Sequence, residues 1–246
     1  MKQLITLIML LGGLGLKAQK TDTIKVGDRF RLFDQLEMGT IRDAIYTELN
    51  GKIRSLTLKT KIVERVTIDG QEYMAFTHLW DNSDPEMSGS FYYLCEPETL
   101  RPVLHIRNTK RAGKEAFAFS NERILGLDSA QNNAQKDFNL PLEMQTYNWE
   151  IDLETYSLIP MKAGYQVAMP FYHPGSSTPP KYYLLKVEGS EKLKMPNGQE
   201  LDCWIIFTDY GGTQPTRFWY TKQGQNFVKM EGQYNQLKIH KVRLFD

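Results

Sequence analysis

The chain has 246 residues, with 30 Lys+Arg against 29 Asp+Glu for a formal net charge of +1, 12% aromatic residues and two cysteines. Interspersed charge near neutrality excludes the basic face of a nucleic-acid binder, and the densest basic stretch, Arg107 to Lys114, reads as a solvated turn. Two cysteines do not make a disulfide framework; Cys95 and Cys203 each sit in an apolar strand pattern and read as buried thiols rather than a bridge.

Residues 1–18 read as a cleavable secretory signal. Lys2 supplies the positive start, Leu4–Leu16 the apolar run, and Ala18 the small residue before Gln19. That run falls short of the roughly 20 apolar residues that span a bilayer, no later segment approaches that length, and no cysteine stands near the cleavage point for lipidation. The expectation is a mature chain, Gln19–Asp246, exported to the periplasm of a two-membrane bacterium with no transmembrane anchor. Its length suits one β-rich domain.

Strand signals follow. From Leu56 the even positions read Leu56, Leu58, Thr60, Ile62, Val66 and Ile68, while the odd ones are mostly polar, which predicts a strand burying its even face. Asn50-Gly51 and Asp69-Gly70 are two-residue hairpin turns, the second leading into a strand over Tyr73–Trp80. Further hairpins are predicted from Phe91–Cys95 with Pro102–Arg107, and from Ala116–Ser120 with Glu122–Leu127. After a polar linker at Gln131–Asp137 the pattern resumes with Tyr165–Tyr172, Tyr182–Glu188, Glu188–Lys194, Glu200–Thr208 (joined through Asn197-Gly198), Arg217–Tyr220, Phe227–Glu231 and Leu237–Leu244. Short turns between successive strands predict an antiparallel meander.

One helix interrupts it. Asn148 caps it, Glu150 and Asp152 suit the positive end of its dipole, and Pro160 stops it. Trp149, Leu153 and Tyr156 fall on one face, which is expected to lie against the concave side of a curved sheet.

Chemistry-bearing patterns are weak. The histidines, His78, His105, His173 and His240, have no metal-ligand spacing, and there is no paired Cys-x-x-Cys, calcium loop or Gly-x-Ser-x-Gly elbow. No metal or cofactor is expected. His173 lies in the Tyr172–Gly175 loop but reads as an exposed loop histidine. Cys203 shares a strand face with Leu201, Ile205 and Phe207, so it reads as a core residue and not a nucleophile. No catalytic residue is assigned.

Apolar material remains. Trp149, Leu153, Tyr156, Phe171, Tyr183, Trp204, Phe218 and Trp219 are the candidate lining of a cavity between helix and sheet; the alternative is that they fill a dry core.

The segments Asn148–Asp152, Tyr172–Gly175, Lys181-Tyr182-Tyr183, Val187–Glu191, Asp202-Cys203-Trp204, Arg217–Tyr220 and Lys229–Gly232 resemble an exported bacterial family labelled only as a domain of unknown function. Glu98–Pro102 extends the match loosely into the N-terminal half. Such proteins look like the periplasmic lipoprotein-carrier superfamily (LolA-like), whose members are unclosed β-barrels capped by helices around an apolar cavity. The reading is therefore a mainly β chain, a single large antiparallel, partly open β-barrel with one or few helices on its concave face. The resemblance implies non-enzymatic binding of a lipid or other apolar ligand. Two other readings stand behind it: an envelope scaffold that pairs an exposed edge strand, such as Lys238–Val242, with a partner protein, and, third, a hydrolase.

Overall fold

The computed structural model describes residues 21–195 and 198–245; the expected signal segment at 1–18, and Asn197 of the expected Asn197-Gly198 turn, lie outside the described residues. The chain enters through a two-residue strand, β1 (Asp22–Thr23), and then forms a first meander. This comprises β2 (Gly39–Leu49), β3 (Lys52–Ile68), β4 (Gln71–Asn82), β5 (Gly89–Cys95), β6 (Pro102–Thr109), β7 (Gly113–Phe119), β8 (Arg123–Gly126) and β9 (Asn139–Pro141). After β10 (Tyr147–Asn148) comes a single 3-10 turn, Trp149–Ile151, which runs into the helix α1 (Asp152–Ser157). The second meander is β11 (Gln166–Tyr172), β12 (Lys181–Lys194), β13 (Glu200–Thr208), β14 (Thr216–Thr221), β15 (Phe227–Tyr234) and β16 (Leu237–Leu244).

The two meanders make one sheet because β16 pairs antiparallel with β2 along its whole length. The path runs from β11 to β16, on to β2 and out to β9, with β1 and β10 both laid parallel along the free side of β11. The described sheet therefore remains an open, curled half-barrel. Its ends are strands of two or three residues, and β16 lies between β15 and β2. This corrects the expectation of an exposed edge at Lys238–Val242.

Turn chemistry explains the hairpins. Asn50 and Gly51 have φ of 52° and 72°, and Asp69 and Gly70 have 51° and 79°, the consecutive positive angles of a tight hairpin turn. The strand expected to break at Glu188 instead continues as β12, with only a register shift between Val187 and Gly189. Gly39–Leu49, unassigned from the sequence beyond its turn, is a full strand.

The largest departure is the phase of β3. Its buried side chains are Thr57, Lys59, Lys61 and Val63, while Leu56 and Leu58 are 41% and 49% exposed on the convex face. Lysines point in and leucines point out. Cross-strand pairing enforces it: Lys59 stands opposite Asp43 and Trp80, and Lys61 opposite Ile41 and His78.

The concave face is filled, not hollow. The helix and the segment Phe30–Leu36 pack into it, with Ile151, Leu153, Tyr156, Phe30 and Phe33 buried in the same core as Phe76, Tyr93, Phe171, Phe218 and Tyr220. Hydrogen bonds hold both ends of this helical segment. Asn148 Oδ1 accepts from the Glu150 amide at 3.1 Å, the expected cap. At the other end, Gln225 Nε2 donates to the Ile159 carbonyl at 3.1 Å. Asn148 Nδ2 also lies 3.1 Å from His105 Nδ1 on β6, tying the helix start to the opposite wall.

Candidate functional site

Where the helix begins, the half-barrel opens into a cleft of about 480 Å³. Every part of the curved sheet near its centre contributes to the lining. Ile45 comes from β2, Lys59 from β3, Trp80 from β4, Phe218 from β14, Met230 from β15 and Lys241 from β16. The helix start adds Trp149, Glu150 and Asp152, while Lys181 and Tyr183 on β12, His173 and the turn residue Tyr210 close the other wall. A second cleft of equal volume, near Glu96 and Arg101, is a weaker candidate, because Arg101 is already bonded to Glu96 and to Asn121 Oδ1.

Trp149 is the hub. Its ring stacks on His173 with centroids 4.4 Å apart, and meets Tyr183 at 4.7 Å, Tyr210 at 5.1 Å and Phe171 at 5.6 Å. Below it Tyr156 makes edge contacts with Phe171 and Phe218. Of the eight apolar residues singled out in the sequence, Trp149, Tyr183 and Phe218 line the cleft. Leu153, Tyr156 and Phe171 lie buried within the core, and Trp204 packs partly buried against that core.

Trp219 is placed elsewhere. It lies with Cys203 and Val228 in a separate cluster on the opposite face, where its Nε1 donates to Glu191 and Lys229 covers its ring at 4.0 Å. Phe218 and Trp219 are adjacent in a strand, and alternation sends their side chains to opposite faces. The two cysteines are likewise divided: Cys95 sits in the concave core and Cys203 in the outer cluster, both buried and unbridged. Burial pushes the Cys203 thiol up to about 11, helped by Asp202 and Glu191, and pushes Cys95 up as well, so neither thiol is disposed to ionise.

The charged residues of the interior were not picked out from the sequence. Lys61 is buried with its ammonium 3.0 Å from Glu154 Oε1 and 3.5 Å from Asp43 Oδ2. Burial alone would lower its pKa, but Glu154 and then Asp43 raise it above the usual lysine value. Burial pushes the Glu154 carboxyl up, and Lys61, then Lys59, more than offset that, so it titrates below its ordinary range.

Lys59, one residue pair away on the same face, is only 4% exposed and lies over the Trp80 ring at 5.6 Å. Among the described residues its ammonium makes no ion pair or hydrogen bond. Burial first, then the neighbouring Lys241 and Lys61, lower its pKa to about 8. Asp152 moves the other way, its carboxyl raised by burial to about 6. Its Oδ1 accepts from the Leu153 amide at 2.8 Å.

Aromatic faces offer apolar contact, and ammonium and carboxylate groups sit in a partly dry wall where charges interact strongly. Among the described residues no three of His, Cys, Asp or Glu are grouped as a metal site.

A family profile described as "Protein of unknown function (DUF3108)" matches residues 44–240. No curated protein matches the chain in sequence. Three solved structures resemble it. A candidate lipoprotein of Parabacteroides distasonis is 12% identical over 85% of this chain and 94% of its own, with a TM-score of 0.33. The hypothetical lipoprotein YmcC of Escherichia coli is 12% identical over 82% and 86%, with a TM-score of 0.27. The Mycobacterium tuberculosis lipoprotein LppX is 10% identical over 87% and 93%, with a TM-score of 0.25.

Proposed function

The chain belongs to the DUF3108 family, and from the geometry of its cleft we propose that it is a non-enzymatic binding protein of the cell envelope, taking the apolar part of a lipid or similar molecule between helix and sheet. The observation that carries this reading is the ring set Trp80, Trp149, Tyr183, Tyr210 and Phe218 around an open volume of about 480 Å³. Trp80, Trp149, Tyr183 and Tyr210 are only partly buried there, and apolar surface left in water costs free energy that a ligand chain would recover. The leader-like pattern of residues 1–18 supports the envelope part of this reading. Among the described residues no helix is long and apolar enough to cross a membrane.

The test is direct. Protein purified from its native host is extracted with organic solvent and the extract read by mass spectrometry, while the emptied protein is titrated with the neutral apolar probe N-phenyl-1-naphthylamine. The expected result is co-purified lipid and saturable probe binding that Trp149→Ala weakens. Absence of both lipid and probe binding would overturn the proposal.

A further inference from the structure

The cleft holds an ammonium group, that of Lys59, with no contact anion among the described residues. Resting on the binding function proposed above, we infer that the ligand is an anionic amphiphile, an oxyanion carried on an alkyl chain, and that Lys59 binds its charge.

The carboxylates of the interior are unevenly shared. Two lysines, Lys59 and Lys61, enter the interior side by side from β3, and three acidic side chains, Asp43, Asp152 and Glu154, act on that face. Asp43 and Glu154 form ion pairs with Lys61. Asp152 accepts a main-chain hydrogen bond and forms no ion pair among the described residues. Lys59 is left with an aromatic ring and, at longer range, the fields of Asp43 and Glu154, which offset only part of the cost of its burial. A cation nine-tenths buried without a contact anion is costly. It faces the open volume, and two further ammonium groups, Lys181 and Lys241, line the same cleft without an ion pair among the described residues.

Ligand chemistry follows by elimination. A neutral chain would cover the rings but leave Lys59 further from water and still unpaired. A cationic head would add a fourth ammonium to the three already lining the cleft, which outnumber its two carboxylates, Glu150 and Asp152. A carboxylate or phosphate oxygen meets Lys59 while its chain lies along Trp80, Trp149 and Phe218. The groups that face Lys59 are Asp43 from β2, Lys61 on its own strand, His78 from β4, Lys241 from β16, and Asp152 and Glu154 from the helix. A bound oxyanion favours the protonated lysine, so anion affinity falls as pH rises through 8 and neutral-chain affinity does not.

Emptied full-length mature protein is titrated with laurate, dodecanol and dodecyltrimethylammonium below their aggregation limits, following Trp fluorescence at pH 7 and pH 9. Sodium acetate and inorganic phosphate serve as competitors. Laurate is expected to bind about 10-fold tighter than dodecanol at pH 7, in line with one charge-assisted contact. Lys59→Met should abolish that preference, so that within the variant laurate binds no tighter than dodecanol. Lys241→Met is the second variant, and should reduce the preference in part. Equal binding of laurate and dodecanol, tighter binding of the cationic amphiphile, or displacement of laurate by acetate or phosphate at comparable concentration would each overturn the anionic-amphiphile assignment. Dodecanol binding in any of those cases leaves the proposed function standing; if none of the three chains binds, both fail. The wild-type comparison decides the matter even where a variant does not fold.

Discussion

Lys61 and Glu154 are 93 positions apart in the chain, yet Nζ and Oε1 meet at 3.0 Å inside the half-barrel. The pair fastens the helix to the sheet, and Asp43 at 3.5 Å completes a triad in which one cation serves two carboxylates. Its energetics are asymmetric. The intact triad contributes little net stability over an apolar replacement, whereas breaking it strands charge in a dry interior.

Removing the cation is therefore the most damaging change. Lys61→Met leaves Asp43 and Glu154 buried without their counter-charge and is expected to cost about 3–5 kcal/mol, more than Glu154→Gln, which leaves Asp43 to hold Lys61. The pH signatures differ in sign. In the wild type the folded Glu154 pKa lies below the unfolded value, so its contribution is present above about pH 4.3 and lost as pH falls through the folded value. In Lys61→Met burial is left to raise the Glu154 carboxyl without its main counter-charge, so the variant's deficit against wild type should shrink as pH falls from 7 towards 5. Urea unfolding of variant and wild type at pH 5 and 7 measures this; a variant deficit as large at pH 5 as at pH 7 would count against the triad.

Two buried histidines set a second slope. Burial, followed by Lys59 and Lys61, holds His78 well below its ordinary pKa, and burial with Arg107 takes His105 to about 3. Unfolded, each takes up a proton near pH 6.5; folded, neither does until far lower pH. Stability is then flat above about pH 6.5 and falls below it, by up to about 1.4 kcal/mol per pH unit for each ring. Asp152, with its folded pKa raised to about 6, acts in the opposite direction below that value and flattens the curve in part. His78→Phe should remove one ring's share of the slope. It should also raise stability at pH 7 by roughly 1–3 kcal/mol, because neither His78 nitrogen has a hydrogen-bond partner among the described residues. An unchanged pH slope in this variant would refute the assignment.

Both thiols should be inert in the folded protein. Cys95 and Cys203 lie in different clusters on opposite faces, so a disulfide between them is sterically barred. Alkylation with iodoacetamide at pH 8 is expected to modify neither until denaturant is added, and then both, with or without prior reduction. Two thiols that appear only after reduction would show the bridge that the fold excludes.

The phase of β3 makes a sharp comparison of neighbours. Leu58→Thr, on the exposed convex face, should change stability by no more than about 0.5 kcal/mol. Val63→Thr, which puts a hydroxyl into the concave core, should cost about 1–3 kcal/mol. Chemical denaturation of the two variants decides between the phases, and the reverse order would mean that β3 faces the other way.

That strand also shows where the sequence was legible and where it was not. Hairpins were readable because Asn50-Gly51 and Asp69-Gly70 carry their geometry locally, and the helix because Asn148, its acids and Pro160 are start and stop signals within a few residues. Counting apolar residues in β3 alone chose Leu56 and Leu58 for the core. The better signal was one strand away: the Asp69-Gly70 turn pairs Ile68 with Gln71, which sets Val63 opposite Phe76 and Lys59 opposite Trp80. Met74, Phe76 and Trp80 are the large apolar face of β4, so their partners must share it. The same period of two already forbade Phe218 and Trp219 from lining one cavity. Nothing local announced Lys61 with Glu154, because a partner brought in from 93 positions away leaves no mark on either segment.

The seam between β16 and β2 governs how the molecule is assembled. Each meander closes short loops, whereas the seam joins Lys238 to Glu48 across 190 positions, and the entropy of loop closure makes such pairings late. On that basis the two half-sheets are expected to form first and to wait on the one long-range pairing. During that wait β2 and β16, among the longer strands of the fold, present unpaired edges with Leu56, Leu58 and Leu244 close by on the outer face, a combination that invites pairing between chains. Refolding yield should accordingly fall with protein concentration while the early β signal does not, so the joint that gives the finished sheet its continuity is also its point of greatest exposure to aggregation on the way there.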